Sequence, residues 1–132
     1  MRNKIFLTIF AFFILSIGGL IYLCFRPPTI LLFRWLDYFG FNYSVFQNIN
    51  IKLPLFIINH LPNAVFITFA CIFIYIIWDI DKFHYFLYTS IIIVLNIIYE
   101  IIVNYDIGDI MTIIFTFVIC SILYIKTNRS KI

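Results

Sequence analysis

Four stretches of this chain, residues 5–25, 61–79, 85–103 and 110–125, run close to a membrane's thickness with almost no charge. About 20 helical residues cross the hydrocarbon core of a bilayer. Inside that core every backbone N–H and C=O must find a partner within the protein, which leaves the helix as the form for separate apolar segments of this length. Composition agrees: 64% of residues are hydrophobic and only 11% are charged, against roughly 25% charged in a soluble domain. A water-soluble fold of 132 residues could not hide 17 Phe and 9 Tyr, because small domains leave much of their surface exposed. The sequence therefore predicts an all-α polytopic membrane helical bundle, built as a single integral membrane domain. It has four transmembrane helices plus a short interfacial amphipathic helix over residues 29–40. Its first partner is the lipid bilayer. The net charge of +3 is accounted for by the loops and gives no case for nucleic acid.

Arg2 and Lys4 precede the first span, which ends in Ile21-Tyr22-Leu23-Cys24-Phe25. Those residues are bulky where a signal-peptide cleavage site must be small, so the segment reads as an uncleaved span. Gly18-Gly19 marks a place for close helix contact. Arg26-Pro27-Pro28 stops the helix. In residues 29–40, Arg34 and Asp37 stand i, i+3 among Leu, Phe, Trp35 and Tyr38, which suits a helix lying at headgroup depth, with Gly40 as its stop. Residues 41–60 are mixed and Asn-rich, with a short re-entrant or interfacial piece expected over 53–58. Pro62 is expected in the first turn of the second span, and Asp109 as the N-cap of the fourth. Four spans put both termini on one side of the membrane. Arg2, Lys4, Lys82, Lys126, Arg129 and Lys131 then share that side, against Arg26, Arg34 and Lys52 on the other. The positive-inside rule makes the termini cytoplasmic.

Chemistry has few places to sit. Glu100 lies within about one turn of the third span's end, and a carboxylate in such a segment is costly unless paired, hydrated or neutralised. Thr89, Asn96 and Glu100 fall on one face of that span. Asp109, Thr112, Thr116 and Cys120 fall on one face of the next. Packed together, such stripes serve as interhelical hydrogen bonds. With the termini inside, the candidate binding residues gather at the outer surface: Glu100, Asp106, Asp109, Asn96, His60, Arg34 and Asp37. A plainer role for Glu100 is pairing with Arg26, Arg34 or Lys52. His60 reads as an acid/base or as an interfacial histidine. His60 and His84 lie on opposite sides and cannot share a metal. A hard-oxygen site of Glu100, Asp106 and Asp109 matches no known loop spacing, so neither metal nor cofactor is assigned. Cys24, Cys71 and Cys120 match no zinc or CxxC spacing and read as small apolar packing residues. There is no Gly-rich phosphate loop, nucleophile elbow or HExxH motif. No catalytic residue is assigned, and binding is favoured over enzymatic activity.

Asp81-Lys82-Phe83-His84, Glu100 and Asp106-Ile107-Gly108-Asp109-Ile110 together resemble the VanZ-like family of small polytopic bacterial membrane proteins. Those proteins carry a Glu near the end of one span and an Asp-containing turn before the last span, often with a DK-x-H signature. The Gln that follows the family's Glu is missing, since Ile102, Val103 and Asn104 stand there. The resemblance covers about 50 residues of the second half. It implies a protein of the bacterial envelope, in the inner (cytoplasmic) membrane, in a family whose biochemical activity is poorly defined. The first functional reading is binding of a lipid-linked or cell-surface ligand at the outer face. Two other readings stand beside it. One is a small oligomeric transporter or channel in which Glu100 exchanges a proton for substrate. The other is an accessory subunit of a membrane complex, whose partner satisfies the polar stripes.

Overall fold

A computed structural model describes residues 2–27, 31–47, 51–78, 81–104 and 106–129. The fold is all-α, with four helices long and apolar enough to cross a membrane. The elements are α1 (Arg2–Phe25), α2 (Leu31–Tyr38), α3 (Ser44–Gln47), α4 (Leu55–Trp78), α5 (Lys82–Tyr99) and α6 (Ile107–Arg129). α5 continues directly into a π-helical turn, Glu100–Asn104.

α4 is the hub, packing against α1, α5 and α6. It runs antiparallel to α1, and the pair is tied at both ends by a cation donating to a backbone carbonyl. Lys4 Nζ donates to Ile76 O at 3.3 Å, and Arg26 Nη2 donates to Asn59 O at 2.8 Å. Between these ties the helices touch at Gly18, where an added Cβ would stand 2.7 Å from Val65 Cγ1; at Gly19 it would meet nothing within 4 Å. One glycine of the pair is therefore the contact, and the other faces outward. Phe12 meets Phe69 and Phe73 edge-on in the same interface.

The core lies among α4, α5 and α6. One buried cluster holds Ile67, Cys71, Ile93 and Ile113, with Cys120 packed against it, in keeping with a packing role for these two cysteines. The other holds Ile74, Tyr85 and Tyr124. There the rings of Tyr85 and Tyr124 stack at 3.8 Å, an arrangement that adds to simple burial. Phe6, Phe13, Ile102 and Phe115 point outward, which is the surface a bilayer solvates. Thr89 and Asn96 do not bridge helices as expected. Their side chains bond the carbonyls of Tyr85 and Ile92, four residues back in the same helix.

α2 has the expected interfacial form. Phe33 is fully buried against Tyr43, while Arg34, Trp35, Asp37 and Tyr38 are exposed. Gly40 ends it in the left-handed region at φ 70°. Its N–H donates to Asp37 O and that of Phe41 to Leu36 O, so both orphan carbonyls are answered.

Three boundaries differ from the sequence reading, each for a local reason. α4 starts at Leu55 rather than 61, because Pro54 O accepts from Ile57 and Ile58 N and opens the helix there. The piece expected over 53–58 is thus the first turn of α4, and Pro62 lies inside the helix. α5 starts at Lys82 because Asp81 is its N-cap, accepting from the N–H groups of Phe83 and His84. α6 starts at Ile107 because Asp106, and not Asp109, caps it: Asp106 Oδ1 accepts from Gly108 N at 2.8 Å and Asp109 N at 3.3 Å.

Gly18→Ala should destabilise the detergent-solubilised protein by about 1–3 kcal/mol through overpacking on Val65, seen as a lower melting temperature. Gly19→Ala should be neutral or slightly stabilising. At the other end of the bundle, hydrogen bonding from the His84 side chain, and then from its backbone N–H, holds the Asp81 carboxyl below its ordinary value of 3.8. A depressed carboxyl pKa contributes stability above the unfolded value, and that contribution is lost as pH falls through the folded one. Exchange protection of the Phe83 and His84 amides should therefore fall below pH 3.8. Asp81→Ala should show the low protection at every pH.

Candidate functional site

The C-terminal end of α1, the N-terminal parts of α4 and α6 and the end of α5 meet at one end of the bundle. Into this place the fold draws His60, Asp106 and Asp109. His60, on the second turn of α4, is held edge-on by Phe56 one turn earlier, with ring centroids 5.0 Å apart. Its Nδ1 lies 2.6 Å from Asp109 Oδ1, across α4 and α6. The His60 side chain is 17% exposed and that of Asp109 5%. An ionised carboxylate only accepts hydrogen bonds, so the proton in this contact belongs to His60 Nδ1.

The first turn of α6 is shaped around that histidine. A Cβ at Gly108 would stand 2.5 Å from His60 Cε1 and 2.9 Å from Nε2. Only a glycine lets the imidazole lie against this turn. Asp106, held by its capping bonds to Gly108 N and Asp109 N, has its Oδ1 3.1 Å from the same Cβ position. One donor atom each from His60, Asp106 and Asp109 lies within 4.8 Å of the others.

Glu100 is buried, with 6% of its surface exposed, at the first position of the π turn. π segments recur at functional sites because they displace side chains from α-helical register. Tyr22, one turn before the end of α1, lies within electrostatic reach of Arg26, Tyr99, Glu100 and Asp109, which ties α1 to the cluster. The Arg26 guanidinium stands 5.6 Å from the Tyr22 ring centroid, and the Arg26 carbonyl accepts from Gln47 Nε2 of α3. Arg26 Nε is buried with no acceptor among the described residues.

Of the residues singled out in the sequence, the fold brings together His60, Glu100, Asp106 and Asp109. Asn96 stays on its own helix. Arg34 and Asp37 are exposed on α2, where Asp37 accepts from Tyr43 Oη at 3.2 Å. His84 lies at the opposite end with Asp81, as the sequence reading had it. Tyr22 and Gly108 escaped that reading. Gly108 had a signal, a glycine two residues after a capping aspartate, whereas a tyrosine in an apolar run carries none.

Arg26 also meets the backbone of α4 near Pro62. Pro62 lacks an N–H, so it cannot donate to the Ile58 carbonyl, and its ring crowds that turn. The next carbonyl, Asn59 O, accepts from Arg26. Arg26→Gln should cost about 1–3 kcal/mol, the range for losing a hydrogen bond from a charged donor, measured by thermal melting in detergent.

No family model, curated protein or solved structure matches this chain. By its own residues it is a four-span helical membrane protein with an acid-rich polar cluster at one end of the bundle.

Proposed function

We propose that this chain is a VanZ-like bacterial envelope protein, both termini cytoplasmic, that binds the headgroup of a lipid-linked or cell-surface ligand at the end of the bundle holding His60, Glu100, Asp106 and Asp109. The observation that carries the reading is the burial of two carboxylates, Glu100 and Asp109, at that end. A carboxylate removed from water is costly, and intramembrane ionisable groups cluster where ligands or ions are handled. The cluster also presents both signs. The carboxylates and His60 suit a cationic or hydrogen-bond-donating group, and Arg26 Nε, a buried donor, suits an acceptor such as a phosphate or carboxylate oxygen. A headgroup carrying both kinds of group fits these residues.

The placement speaks for binding at the membrane face over proton-coupled transport. A transport carboxylate belongs near the bilayer midplane, and Glu100 begins the last turn before α6. In the four-span small multidrug exporters the carboxylate lies in the middle of the first span, and residues 5–25 here carry no charge.

Protein extracted from its native membrane in mild detergent should co-purify with a lipid or envelope fragment, identified by native mass spectrometry. Glu100→Gln, which keeps the size of the side chain and an acceptor oxygen, should lose that species at least 10-fold at unchanged helical content by circular dichroism. Equal recovery from both proteins would refute the reading.

A further inference from the structure

We infer that His60, Asp106 and Asp109 form a binding site for a divalent cation of the zinc and manganese class. The donor set is one imidazole and two carboxylates, a combination suited to borderline and hard divalent ions. Mutual donor distances within 4.8 Å match an ion placed about 2.0–2.4 Å from each ligand after small side-chain closure.

Two features go beyond the presence of acidic groups. The first is the histidine, drawn to 2.6 Å from Asp109 from a different helix in surroundings where only a glycine fits. The second is that glycine: a Cβ at residue 108 would overlap the His60 ring and press on Asp106 Oδ1. The backbone is thus cleared beside two of the three donor residues, His60 and Asp106. Asp106 can continue to cap α6 with Oδ1 while its second oxygen turns to the ion, since a carboxylate has about four acceptor positions. The ion takes the place of the proton between His60 Nδ1 and Asp109 Oδ1. The neutral ring keeps one proton, moved to Nε2, and offers Nδ1. Water completes the coordination.

The site shares His60, Asp106 and Asp109 with the ligand reading above, and Glu100, which is not among the donors, tells the two apart. The test uses the full chain in nanodiscs, stripped with EDTA, titrated with ZnCl2 or MnCl2 and desalted, with metal counted by mass spectrometry. One ion per chain is expected. His60→Ala, Asp106→Asn and Gly108→Ala should each weaken binding by roughly 10–100-fold, the scale for disturbing a metal site's ligands or their support. Glu100→Gln should retain the full stoichiometry even where it empties the lipid site. X-ray absorption on the loaded wild type needs no variant, and should show one imidazole nitrogen among oxygen ligands. An all-oxygen shell, a substoichiometric trace, or undiminished binding in both His60→Ala and Asp106→Asn would overturn the site.

Discussion

Inside a bilayer a polar backbone group has no solvent to fall back on, and α4 is where that constraint presses hardest. Pro62 interrupts the helix that every other span packs against. The carbonyl that loses its helical donor is Ile58 O, and one residue further on the Arg26 guanidinium donates to Asn59 O. Arg26 also lies over the Tyr22 ring, and its own carbonyl accepts from Gln47 of α3. One residue at the end of α1 thus ties that helix to α3 and to the proline-bearing turn of α4.

The cluster is built by short connections. Two residues separate the π segment from α6, so chain geometry keeps Glu100, Asp106 and Asp109 at one end of the bundle. His60 reaches in from α4 and bonds Asp109. The opposite end has a different character: Tyr75, Trp78, Tyr85, Tyr88 and Tyr124 stack or meet edge-on in a ring-lined end, with His84 and Asp81 exposed beyond it. Polarity sits at one mouth of the bundle and aromatic packing at the other.

The spans were legible because bilayer thickness imposes a length that apolar runs reveal directly. That His60, Asp106 and Asp109 lie close together was legible, since topology alone sends the ends of adjacent antiparallel spans to one face. Asp81-Lys82-Phe83-His84, which contributed to the family resemblance, has a local reason to exist as the cap of α5. Less legible were features decided by three-dimensional contact. Asp106 and Asp109 are both acceptable caps in sequence, and the choice follows from where His60 arrives. Arg34 and Asp37 looked like site residues by depth, yet depth does not supply lateral position, and α2 leaves them exposed. Pro62 read as a helix start because a proline there is usual; the helix opens instead at Pro54, whose carbonyl accepts from Ile57 and Ile58 N, and so leaves Pro62 inside.

The π turn has a consequence for descent. A π segment holds one residue more per turn than the α-helix around it, and such turns can arise when a single residue is inserted into an existing helix. Between Glu100 and Asn104 the extra residue is absorbed without lengthening the loop, and everything after it is swung about the α5 axis by roughly 100°. The direction in which Asp106 and Asp109 enter is therefore encoded in a length, and no side chain records it. Two chains that share these acidic residues but differ by one position in this turn would present them on different faces. An ancestor lacking that position would have carried the same letters around a differently built mouth.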